Sequence, residues 1–141
     1  MSLGLTYTNS CFMYCTGVTA SVNAGTKYDI LTVSFSDRRV YGIGILSSDN
    51  AAQAIKIYLT NGSNSYQVST VNIPAGSGTN GTTAAVDVFS STMVESTFQK
   101  TRDANGLSYF NLPTNWKIQM DFGTTLGVGE TITTHIFGET Y

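Results

Sequence analysis

Side chains able to do chemistry are nearly missing from this chain. Its 141 residues include one histidine (His135), two cysteines, two prolines, one tryptophan and 16 residues of Asp, Glu, Lys or Arg. Each scarcity excludes something. A serine hydrolase needs a nucleophile elbow of the form G-x-S-x-G and a histidine base, and the elbow is missing. Nucleic-acid binding needs clustered Lys and Arg, and Arg38-Arg39 is the sole adjacent basic pair. We expect that pair at a solvated hairpin tip or against an acidic partner surface. No stretch approaches the ~18 apolar residues of a membrane-crossing helix. The start, Met1 to Thr6, lacks the basic and apolar run of a secretory leader. Function where the protein is made, or in an assembly built there, is therefore expected.

Low charge does not imply disorder. Charged residues make up 11% of the chain, against a usual ~25%, but 41% are apolar and the net charge is −2. Disordered chains pair low hydrophobicity with high net charge. One domain with a core of its own fits this length.

What is present is Ser, Thr, Asn and Gly, which supply 60 positions interleaved with short apolar stripes of period two. Such stripes recur at the spacing of an all-β sandwich. Strands are expected at Thr26–Phe35 (Leu31, Val33 and Phe35 inward), Val40–Leu46, Ala54–Thr60, Ser65–Ile73, Leu107–Leu112, Trp116–Phe122 and Glu130–Tyr141. Gly42 and Gly44 suggest a bulge or a close backbone approach. Asn61-Gly62 supplies a strong turn signal, since both residues tolerate positive φ. Thr82–Ser96 allows one or two helical turns. The fold expected is an all-β antiparallel sandwich, jelly-roll-like, with about eight or nine strands and at most a short helical turn. The sandwich spans 25–141, preceded by an N-terminal segment, 1–24, suited to be an arm with its own strand.

Possible sites have plain structural readings. Cys11 and Cys15 would lie about 13 Å apart on one strand face, beyond disulfide reach, so both are expected as thiols in a small buried row around Met13. A redox pair or a zinc half-site would want two intervening residues and further Cys or His ligands, which are missing. His135 is read as a structural or surface residue. The run Pro74–Gly81 lacks the lysine and the helix of a phosphate cradle and reads as a flexible loop. Asn61-Gly62-Ser63 and Asn80-Gly81-Thr82 match the glycosylation acceptor pattern, read as incidental without a leader. No catalytic, cofactor or metal residue is expected. Tyr7, Tyr14, Tyr58 and Tyr141 suit a protein interface or a glycan equally well.

From Tyr28 to Tyr141 the chain resembles the capsid decoration, or cement, proteins of tailed bacteriophages. The pieces follow in order: Ser48-Asp49-Asn50-Ala51-Ala52, the strand Ile55–Thr60, the turn Asn61-Gly62, then Val71-Asn72-Ile73-Pro74 and Ala84–Val88. Leu112-Pro113-Thr114-Asn115-Trp116 is similar to a Leu-Pro-x-Gly turn opening a late strand, with Asn115 where the glycine is typical. Gly127–Ile132 and Phe137–Tyr141 fit the last strand. The resemblance implies a non-enzymatic virion protein on the outer capsid surface. It would be a homotrimer that ties major capsid protein subunits together without nucleic acid or membrane. Contacts are expected from Leu3, Leu5, Tyr7, Tyr14, Arg38, Arg39 and Tyr58. The alternative is a receptor- or glycan-binding module of a phage fibre.

Overall fold

The structure, a computed structural model, describes residues 10–19, 24–88, 101–102, 104–106 and 108–140; for 10, 11, 18, 19, 101 and 102 it describes the backbone alone. Ten strands form two antiparallel sheets. They are β1 (Ser10–Thr19), β2 (Lys27–Thr32), β3 (Arg38–Ser47), β4 (Gln53–Thr60), β5 (Ser65–Ile73), β6 (Val86–Asp87), β7 (Thr101–Arg102), β8 (Ser108–Leu112), β9 (Lys117–Phe122) and β10 (Thr131–Thr140). One sheet has the order β1-β10-β3-β8-β7, with β6 also on β3; the other has the order β2-β9-β4-β5.

The pairs β1/β10, β2/β9, β3/β8 and β4/β5 are nested, as in one long hairpin wound into two layers. The all-β antiparallel sandwich expected is present. The chain crosses from one sheet to the other at each step from β1 to β4 and again from β8 to β10, while β4–β5 and β6–β8 stay within one sheet. The interior holds Ile43, Ile45, Ile132 and Ile136 from the larger sheet and Ile55, Ile57, Ile118, Met120 and Phe122 from the smaller, all essentially inaccessible. Thr134 lies among them, fully buried, and its hydroxyl is 3.5 Å from the Met120 sulfur across the core.

Four expectations are corrected. Residues 36–39 are not a hairpin tip, because β2 and β3 lie in different sheets. Asp37 instead accepts from the Thr114 amide (2.8 Å) and hydroxyl (3.0 Å), and Arg38 and Arg39 open β3 half-buried. A bulge between Asp29 and Leu31 turns both Ile30 and Leu31 inward. Alternation then runs on through Val33, which is fully buried, but Phe35 beyond it is left 88% exposed. Residues 82–87 hold bends and the short strand β6 where helical turns were allowed, and 3-10 backbone begins only at Val88; 89–96 lie outside the described residues. The 74–81 loop is pinned to the end of the sheets. Gly76 N donates to Asp49 O (2.9 Å), Ser47 N to Ser77 O (2.8 Å) and the Thr79 hydroxyl to Ser47 O (2.8 Å).

The expected bulge at the glycines of β3 is present in its pairing with β10. Phe137 faces Gly42 while Gly138 faces Val40, so Tyr41 is the extra residue. The close approach falls across the ladder, at Gly138, where a Cβ would sit 2.2 Å from Arg39 O and 2.6 Å from the Phe12 ring. Asn115, the one non-glycine residue with positive φ among those described (71°), takes the left-handed conformation a glycine would favour.

Candidate functional site

The two outer faces of the sandwich differ in chemistry. On the four-stranded sheet the outward positions carry Lys27, Asp29, Lys56, Lys117 and Asp121 with Gln67 and Gln119, several of them hydrogen-bonded. Asp29 accepts from Lys117 (2.8 Å) and Gln119 (2.6 Å). Those two hydrogen bonds, the Lys117 one first, hold its carboxyl below the ordinary 3.8 against the opposing pull of partial burial. The Lys27 ammonium sits 4.2 Å above the Tyr58 ring, and the Tyr58 hydroxyl donates to Gln67 (3.5 Å). This face is charged, paired and hydrated.

The six-stranded sheet presents the opposite. β1 and β10 run together through ten directly opposed pairs, from Ser10↔Thr140 to Thr19↔Thr131. Because side chains alternate, Met13↔Phe137, Cys15↔His135 and Gly17↔Thr133 face outward while Ile132, Thr134 and Ile136 face the core. The next strand brings Gly42 beside Phe137 and Gly44 beside His135. A Cβ at Gly42 would meet only the Phe137 ring, at 3.6 Å, and at Gly44 nothing within 4 Å. The result is a flat strip bordered by Met13 (63% exposed) and Phe137 (47%). Among the described residues the β1–β10 part of this face bears no Asp, Glu, Lys or Arg until Glu139; on β3's side the nearest is Asp87, opposite Gly44.

One margin of the strip is closed by an aromatic and charged cluster. The Arg39 guanidinium lies 4.9 Å from the Tyr109 ring centre and 4.0 Å from Glu139; Tyr41 packs on Tyr109 (5.5 Å between centres) and its hydroxyl donates to Glu139 (3.3 Å).

Of the residues expected to make contacts, Arg39 borders this face. Arg38 lies at the end of the sandwich, its guanidinium 4.7 Å over the Phe12 ring. Tyr14 is 43% exposed on the edge strand, on the side of Ile136. Tyr58 is on the other sheet. Leu3, Leu5 and Tyr7 lie outside the described residues. The four described ones therefore do not share a patch.

Sequence reasoning missed Met13 through a parity error in β1, although Ile132 and Ile136 were rightly read as inward, which leaves Phe137 outward. β1 was read with Cys11, Met13 and Cys15 inward, whereas Phe12 packs against the core and both Met13 and Cys15 are exposed. A shift of one residue exchanges every side chain between the faces. Pairing with β10 also brings His135 Nδ1 to 3.2 Å from the Cys15 sulfur, 120 positions away in sequence.

Elsewhere, an open cleft of about 530 Å³ lies between Ser48–Asn50 and the 75–80 loop. Its buried Asp49 carboxylate is already engaged by Gln53 Nε2 (2.9 Å) and the Ala51 amide (3.1 Å), a structural role. No group of three or more His, Cys, Asp or Glu is placed to hold a metal ion among the described residues.

No family model and no curated protein matches the chain. Among solved structures, a chain of the cyanophage Pam1 capsid asymmetric unit is similar over 100% of this chain and 92% of that one, at 10% identity and a TM-score of 0.46. A likeness at that level carries no functional argument.

Proposed function

We propose that the protein is a non-enzymatic capsid decoration protein. It binds the outer surface of a phage shell and holds neighbouring major capsid subunits together, docking through the outer face of its six-stranded sheet. The observation that carries the docking face is the contrast between the two outer surfaces. Interface cores are depleted in charge and enriched in Met and aromatic residues. The β1–β10 face has that composition and the four-stranded face does not. The shell as partner rests on the sequence resemblance from Tyr28 to Tyr141. A jelly roll alone would not choose it, since lectins and cupins share that fold. Trimeric assembly would multiply a modest interface per copy into slow release.

Co-sedimentation with assembled capsids, beside free major capsid protein, tests this reading. The wild type should pellet with shells and ignore the free subunit. Met13→Glu with Phe137→Glu should abolish pelleting while the melting temperature barely moves, and Lys56→Glu on the opposite sheet should change nothing. Removal of residues 1–9 should weaken attachment if that segment acts as an arm. Loss of binding in Lys56→Glu, with the Met13/Phe137 variant unaffected, would put the wrong face on the shell.

One observation favours the glycan-binding alternative. Tyr66, 52% exposed, stacks on the half-buried Trp116 with ring centres 6.4 Å apart and planes 21° from parallel. Such a platform suits a sugar ring. Binding to a glycan panel that Tyr66→Ala removes, with no affinity for any shell, would replace the capsid reading.

A further inference from the structure

The Cys15–His135 pair has no part in the sandwich core, and its geometry points to a use. We propose that Cys15 Sγ and His135 Nδ1 form a two-ligand site for a borderline-soft divalent cation of the zinc class, with the remaining coordination positions opening outward to water. The inference concerns the isolated protein and stands apart from the capsid reading.

Four observations carry it. The two donors sit on directly opposed residues of a ten-pair antiparallel ladder, so their backbones are held in place before any ion arrives. Sulfur and nitrogen are 3.2 Å apart. Bonds of about 2.3 Å to sulfur and 2.0–2.1 Å to nitrogen at a tetrahedral angle need a separation of about 3.6 Å. An opening of about 0.4 Å is within reach of small χ rotations from a staggered well. Neither side chain has a second hydrogen bond among the described residues. The approach is also clear, because Cys15 is exposed and Gly44, directly opposite His135, has no side chain to cover it.

The donor types decide which ion. A thiolate with an imidazole selects zinc-like cations, whereas calcium and magnesium demand oxygen ligands, and no carboxylate belongs to this pair. On binding, the thiol proton leaves to solvent and the imidazole coordinates in its neutral form through Nδ1. No electron is transferred.

Titration of the reduced full-length protein with cobalt(II), followed by optical absorption, tests the site without any capsid present. Wild type and Cys11→Ser should both develop a sulfur-to-cobalt charge-transfer band, bleached by zinc, with about one proton released per ion. Cys15→Ser should lose the band. His135→Ala should weaken binding by more than the about 10–100-fold typical of changes behind a ligand. Unchanged melting temperatures would keep these variants comparable. Absence of the band in wild type, its survival in Cys15→Ser, or unaltered affinity in His135→Ala would each overturn the proposal.

Discussion

At the scale of single residues, the constraints come from where atoms already are. Gly138 has the Arg39 carbonyl oxygen and the Phe12 ring where a Cβ would go, and a carbonyl held in a ladder cannot step aside. Gly138→Ala should therefore cost about 1–3 kcal/mol, the range for overpacking. Gly44→Ala, with open space above it, should stay within about 0.5 kcal/mol of wild type in the same denaturant titration. Asp29 makes a different kind of prediction. Its carboxyl is more acidic when folded than when unfolded, so it contributes stability above its unfolded value that is lost as pH falls through the lower, folded one. The Lys117–Asp29 pair is 36% and 43% exposed, so solvent screening keeps its worth under about 1 kcal/mol. Wild type should exceed Asp29→Asn in stability at pH 7, and that advantage should shrink as the pH drops below about 4.

At the scale of elements, alternation was legible and its limits were not. The strand over residues 117–122 was plain in the sequence, since Ile118, Met120 and Phe122 alternate with Lys117, Gln119 and Asp121, and all three apolar residues are buried. Trp116 continues the same parity by count. It sits just before the strand, its carbonyl still accepting from Val33 N (3.0 Å), and is half-buried at the rim of the core, where it stacks on Tyr66. Met120→Ala should cost the about 2–5 kcal/mol of a buried truncation. Trp116→Ala should cost less than the about 3–5 kcal/mol of a fully enclosed ring in the same titration. A larger loss at Trp116 than at Met120 would restore it to the core. Bulges set the other limits: one at β2 turns two neighbours inward, and one at Tyr41 resets the inward set of β3. No local signal in the sequence marks which residue a ladder will skip, since that depends on the partner strand.

At the scale of the whole molecule, the pairing joins distant parts of the chain. Ser10 opposes Thr140, so the strand next to one end completes a sheet with the strand next to the other. Loop closure must be met before those contacts reward it, and sandwiches dominated by such pairs fold in milliseconds to seconds. Stopped-flow refolding should show a main phase in that range; a microsecond phase carrying the full amplitude would contradict the nested pairing. The same topology sorts surfaces. Winding the long hairpin into two layers puts the Lys and Asp residues of β2, β4 and β9 on one side of the protein and Met13, Phe137 and the glycine strip on the other.

Composition and period-two alternation were enough to establish an all-β sandwich, most of its strands, and the scarcity of catalytic groups, because these depend on residue type and near neighbours alone. The turn at Asn61-Gly62 was legible for the same reason: Gly62 takes a φ of 93° and the Asn61 side chain accepts from the amides of Ser63 and Asn64. Tertiary pairing decided the parity of β1, the exposure of Met13, and the meeting of Cys15 with His135. Both parities of Cys11–Val18 alternate acceptably between hydrophobic sets, so nothing within the strand could choose between them. Ten opposed pairs with a strand near the opposite end of the chain made the choice, by putting Phe12 over Gly138 and turning Met13 and Cys15 outward.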